Sequence, residues 1–182
     1  ILTAWNKFLS NYKNPENTVE IGLVGKYIEL QDAYKSILES LDHAGAHNKI
    51  KVNIHPIHSE ELRKSNVAEK LKGLQGLIVA PGFGDRGIEG KIEAVRFVRE
   101  NNIPFLGICL GMHMAMIEYG RHICGLTGAH SSEMEPTTPH PVVALITEWQ
   151  DADGSLEKRD AQSDLGGTMR LGAQTCHLVE GS

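Results

Sequence analysis

Residues 76–122 read GLIVAPGFGDRGIEGKIEAVRFVRENNIPFLGICLGMHMAMIEYGRH, and their reading decides the fold. GLIVAPGF (76–83) is a short apolar run with the length of a fully buried strand, and GIEGKIEAVRFVRENN (87–102) carries apolar residues at helical spacing. IPFLGIC (103–109) is a second buried strand, and LGMHMAMIEYGRH (110–122) a second helix. Strands that alternate with helices imply a mostly parallel sheet with helices on both faces, because each parallel connection must cross over the sheet.

The alternation extends toward the amino terminus. IKVNIHPIH (50–58) reads as a strand and SEELRKSNVAEKLKGL (59–74) as the helix after it. VEIGLVGKY (19–27) is another strand, followed by a helix in LQDAYKSILESLDHAG (30–45), with Tyr34, Ile37, Leu38 and Leu41 on one face and Gly45 as its stop. The opening ILTAWNKFLSNYK (1–13) spaces Leu2, Trp5, Phe8, Leu9 and Tyr12 as a helix, and the polar NPENTVE leads into the domain. After Gly125 the texture is irregular. A strand is expected in TTPHPVVALITEW (137–149), a polar loop in QDADGSLEKRDAQSDLGG (150–167) whose DADGS turn suggests a hairpin, and one or two strands in TMRLGAQTCHLV (168–179).

At 182 residues, with 41% hydrophobic and 23% charged residues, the chain has the length and composition of one globular domain. Its formal charge of −5 argues against nucleic acid or an anionic membrane surface as a partner. No secretory leader and no long apolar run is legible, so a cytoplasmic protein with reduced thiols is expected. The cysteines Cys109, Cys124 and Cys176 are odd in number and widely spaced, which makes a disulfide framework improbable, and no metal site is expected.

In open α/β sheets functional groups gather beyond the carboxyl ends of the strands. Two loops lie there. Gly107 and Gly111 flank Cys109 in a G-x-C-x-G pattern, the cysteine counterpart of a nucleophile elbow. Glycines let the backbone make a tight strand-to-helix turn, and the helix N-terminus then faces the thiol with free N–H groups. Such a position favours the thiolate, which is the reactive form. The pattern alone leaves a second reading open, in which Cys109 is a small buried hydrophobe. Cys124 and Cys176 lack the paired glycines and read as core residues. The other loop, APGFG (80–84), can present the backbone N–H groups of Gly82 and Phe83 to a developing oxyanion, or be a phosphate loop or a plain turn; no GK[ST] follows it.

A thiol nucleophile also needs a base. The only H-x-E spacing is His58, Ser59, Glu60, which reads better as a helix start with Ser59 as cap and acidic first-turn residues. His113, one helical turn from Cys109, reads as a pocket-wall residue. The remaining histidines show no carboxylate at a telling spacing and read as solvated or structural.

GLVGKYIELQDAYKSILESL (22–41), FGDRGIEGKI (83–92), GICLGM (107–112) and GGTMRLG (166–172) together resemble the class I (triad) glutamine amidotransferases. Within that family they resemble the branch whose ammonia aminates UTP to CTP. The resemblance runs from about Val19 to the last residue and implies the flavodoxin-like class I amidotransferase fold for residues 19–182. It implies that residues 1–18 are a connector helix and linker from a synthetase domain, and that the amidotransferase domain is incomplete at its carboxyl end. It implies L-glutamine as substrate and Cys109 as the nucleophile that forms a thioester. By position, Gly82 and Phe83 line the oxyanion hole, Leu110, Gly111, Met112 and His113 contact glutamine, and Glu133 binds its amino group. No cofactor is implied in this domain. ATP and magnesium act in the synthetase domain, GTP is an allosteric activator, and the full-length protein is a homotetramer.

Three departures from the family accompany this resemblance. Pro81 stands where the first glycine of PGGFG is usual, and His113 where glutamine is usual. The family's His-x-Glu pair and a substrate-binding arginine follow GGTMRLG at a distance, beyond Ser182. A stand-alone cysteine hydrolase and a non-catalytic interaction or regulatory module are the alternatives.

Overall fold

The computed structural model describes residues 2–30, 32–144, 148–150 and 156–158, the last two groups by their backbone. The chain clusters into two compact units, residues 1–144 and 145–182. In the first, the elements run α1 (Leu2–Lys13), β1 (Asn17–Gly25), α2 (Lys35–Asn48), β2 (Ile50–His58), α3 (Val67–Lys70), β3 (Gly76–Val79), α4 (Ile88–Glu100), β4 (Phe105–Gly107), α5 (Leu110–His122), β5 (His130–Ser131) and β6 (Pro141–Val143). In the second, β7 (Glu148–Gln150) pairs antiparallel with β8 (Leu156–Lys158), the hairpin expected around DADGS. The strands expected in 168–179, together with Cys176 and the GGTMRLG motif, lie outside the described residues.

β1 to β4 form a parallel sheet in the order β2-β1-β3-β4. This is the flavodoxin-like order, with its switch point between β1 and β3. Neighbouring residues of one strand serve opposite faces. Leu23 and Ile78, with Ala80, pack beneath Tyr34, Ile37, Leu38 and Leu41 of the α2 segment. Val24, Leu77 and Val79 face the other way, onto Ile92, Val95 and Val98 of α4 and Leu110, Met114 and Ile117 of α5. Each such side chain, fully buried, contributes about 1.5–3 kcal/mol of hydrophobic free energy.

Three sequence expectations change. Gly45 does not stop α2, which runs on to Asn48 and ends at Lys49 in the left-handed region. Gly45 is instead a contact residue, since a Cβ there would stand 2.5 Å from the Ile50 carbonyl oxygen. Residues 59–74 are not one helix but a single 3-10 turn (Ser59–Glu61), an extended Leu62 and the one-turn α3. Here the cap is not Ser59: the His58 ring accepts the Glu60 N–H. Finally, Cys124 is exposed rather than a core residue.

Side-chain ties fix α5 in place. Arg99 of α4 donates from Nε (2.9 Å) and Nη2 (2.7 Å) to the Glu118 carboxylate, which is 1% exposed. His122 Nδ1 lies 3.2 Å from the same carboxylate, so this histidine does have an acidic partner four residues earlier. Arg121 reaches Glu89 of α4 (2.9 Å) and donates to the Ala129 carbonyl (2.7 Å).

Candidate active site

The carboxyl ends of β1, β3 and β4 meet at one edge of the sheet, and backbone bonds set their heights. Ala80 N–H donates to the Val24 carbonyl (2.9 Å) and Ile108 N–H to the Val79 carbonyl (3.0 Å). Beyond β1, the Tyr34 hydroxyl accepts the N–H groups of Lys26 (3.1 Å) and Tyr27 (3.3 Å), which holds that strand end in its turn. The loops that leave these ends carry Lys26, Pro81–Gly84 and Cys109.

Cys109 occupies the N-cap position of α5 at φ 55°, ψ −111°, one of three non-glycine residues with positive φ among the described residues. A side chain in that region is strained, by roughly 1–3 kcal/mol, and persists only where the surroundings impose it. The surroundings here are close-packed backbone. A Cβ on Gly111 would lie 2.2 Å from the Val79 carbonyl oxygen, and one on Gly107 would lie 2.6 Å from the Gly111 carbonyl carbon. Only glycine lets β4, the turn and α5 approach this tightly, and the result is an exposed thiol at a helix N-terminus. The buried-hydrophobe reading of Cys109 is excluded by that exposure.

The structure places each of the sites expected from sequence. Gly82 and Leu110 come together: a Cβ on Gly82 would stand 3.7 Å from Leu110 Cδ2, so the PGFG loop borders the first turn of α5. The N–H groups of Met112 (2.9 Å) and His113 (3.3 Å) return to the Cys109 carbonyl, which keeps residues 110–113 on that same turn. Leu110 and Gly111 are buried, Met112 is exposed and His113 is half-buried. Phe83 is 75% exposed, with its carbonyl accepting from Lys26 Nζ (3.4 Å). Glu133 is exposed in the turn after β5, where its N–H donates to Ser131 Oγ (3.2 Å) and its neighbour Met134 packs on the core that holds Leu110. His58 is committed elsewhere, capping the 3-10 turn and lying 3.6 Å from Glu29.

Lys91 has no place in the sequence reading of the site. It is 1% exposed in α4, and its Nζ lies 3.6 Å from the position of a Cβ on Gly82. Burial, and then repulsion from Lys26, hold its ammonium below the ordinary lysine range, while an anionic Cys109 acts in the opposite direction. The signal in the sequence was a lysine in register with Ile88, Ile92, Val95 and Val98, on the apolar stripe of α4.

Comparison with known proteins gives three likenesses. Residues 29–182 match the family described as Glutamine amidotransferase class-I. The chain is 59% identical over 179 residues to a CTP synthase of Flavobacterium psychrophilum, covering 98% of this chain and 32% of that protein. It also resembles a solved structure of the Trypanosoma brucei CTPS glutaminase domain with bound acivicin, at TM-score 0.66 and 37% identity, over 70% of this chain and 50% of the other. The chain thus spans about a third of the length of the curated relative it matches.

Proposed function

The chain belongs to the class I glutamine amidotransferases, and from that premise we propose that it hydrolyses L-glutamine through a thioester on Cys109. The observation that carries this reading is the positive-φ Cys109, exposed at the N-terminus of α5 beside the PGFG loop. The Cys109 thiolate attacks the side-chain amide carbon of glutamine, and the carbonyl oxygen becomes an oxyanion that the N–H groups of Gly82 and Phe83 receive. Collapse of the tetrahedral intermediate releases ammonia as the leaving nitrogen takes a proton from solvent water. Water then cleaves the thioester to glutamate and free thiol. Leu110, Gly111, Met112 and His113 border bound glutamine, and Glu133 pairs with its ammonium.

The ammonia serves the amination of UTP to CTP in a synthetase domain of the same longer protein, to which residues 1–18 connect. That domain uses ATP and magnesium, GTP activates the whole, and the assembly is a homotetramer. Both named relatives support this placement, one as a CTP synthase and one as a CTPS glutaminase domain.

A diazo-ketone analogue of glutamine tests the reading directly. After incubation with the chain and peptide mapping, the adduct is expected on Cys109 and not on Cys124 or Cys176, and excess L-glutamine should suppress it. Equal labelling of all three thiols would sink the assignment.

A further inference from the structure

We propose that Lys91 is an electrostatic positioning residue of the Cys109 centre, its buried ammonium set beside the Gly82 end of the oxyanion loop to favour negative charge on the sulfur. This role rests on Cys109 being the nucleophile. Several observations point the same way. A lysine that is 1% exposed is an expensive residue, because burying an ammonium without a counter-charge costs far more than burying a methionine of similar shape. No hydrogen bond or ion pair joins its side chain to another described residue. Among the described residues, the charged groups that act on it are Lys26, from the end of β1, and Cys109, from the β4–α5 turn, with no carboxylate beside them. Lys26 adds to the same field, since its Nζ donates to the Phe83 carbonyl of the same loop (3.4 Å). Two ammonium groups are thus held near one glycine-rich loop in a chain of formal charge −5. Their mutual repulsion is offset when the facing group is an anion.

The anion available is the one the reaction makes. Negative charge begins on Cys109 Sγ, passes to the former carbonyl oxygen in the tetrahedral intermediate, and returns to sulfur when the thioester is cleaved. A buried cation beside Gly82 is held by the packing of α4 close to the loop that receives that charge, and acts without reorganising. Coupling between the two groups is reciprocal, so a thiolate that favours the Lys91 ammonium is favoured by it equally.

The test is the pH profile of iodoacetamide alkylation, resolved by peptide, in the whole chain and in Lys91→Met and Lys91→Gln. Cys124 reports in the same sample as a thiol remote from this loop. Both variants should lower the Cys109 rate at neutral pH by about tenfold and move its profile to higher pH. Cys124 should stay unchanged, and thermal unfolding should show no loss in the methionine variant. An unmoved Cys109 profile in both variants, or a parallel change at Cys124, would overturn the role of Lys91. Wild-type protein in which Cys109 and Cys124 react alike would instead overturn the nucleophile reading, and this role with it.

Discussion

Cys109 and Cys124 stand at opposite ends of α5, both free and both exposed, and they share almost nothing else. Cys109 precedes the first turn, at the positive end of the helix, where the N–H groups of Gly111, Met112 and His113 bond the Ile108 and Cys109 carbonyls rather than standing free, and its backbone is held at φ 55° between two glycines that touch neighbouring backbone. Cys124 follows the last turn, where its N–H donates to the Tyr119 carbonyl (3.1 Å), and the next residue, Gly125, faces open space. Exposure therefore does not mark a reactive thiol. Backbone geometry and the neighbouring ammonium groups are what set Cys109 apart, and they are the basis for proposing it as the nucleophile.

The largest way to break this comparison is to delete each thiol in turn. Cys109→Ala should abolish labelling by the glutamine analogue and lower any glutamine hydrolysis by at least about a thousandfold, since it removes the sulfur on which the proposed thioester forms. Cys124→Ser should leave both readouts within about twofold of the parent.

Next comes the anchorage of α5. Arg99→Ala leaves the Glu118 carboxylate buried without its guanidinium, and should cost about 3 kcal/mol of unfolding free energy, measured by denaturant titration. The alkylation rate of Cys109 in the folded variant should barely move, because the damage lies at the other end of the helix. Gly111→Ala makes the converse cut: its Cβ meets the Val79 carbonyl, backbone that cannot swing aside. It should lower the Cys109 labelling rate about a hundredfold by displacing the sulfur. The matching change beside the other thiol, Gly125→Ala, meets no neighbour but sits at φ 68°, so it should cost only about 1 kcal/mol and leave Cys124 chemistry intact.

The smallest effect concerns pH. Burial, with repulsion from Lys26, lowers the pKa of folded Lys91 below that of the unfolded chain, so between those two values the unfolded state holds more protons. Stability from this residue thus rises with pH across that window, and its full cost is present below it. Lys91→Met should flatten that slope and raise the melting temperature at neutral pH by about 2–4 °C, read by calorimetry at several pH values.

Much of the fold was legible because its strongest elements agree at every level. The buried run GLIV forms β3, and LGMHMAMIEYGRH forms α5 from its first residue to its last. The G-x-C-x-G turn was legible too, since glycine spacing reports backbone proximity. Residues 59–74 misled because local side-chain bonds there replace the helical ladder. Asn66 Oδ1 accepts the Arg63 N–H (2.8 Å), Asn66 Nδ2 donates to the Glu61 carbonyl (2.9 Å), and Arg63 folds back onto the carbonyls of Glu60 and Leu62. The buried residues Leu62, Val67 and Leu71 are five and four apart, a spacing that a broken segment serves better than one helix. His122 escaped because its partner, Glu118, lies on its own helix and gains weight only through burial against Arg99. Lys91 escaped for the opposite reason: sequence reading assigns a lysine to solvent, whereas only the packed structure shows it under the Gly82 loop.

The most direct measurement of the difference between the two ends of α5 is peptide-resolved alkylation at neutral pH, with and without L-glutamine. Cys109 should react at least about tenfold faster than Cys124, and glutamine should slow Cys109 alone. Equal rates at the two thiols, with no protection by glutamine, would contradict the account.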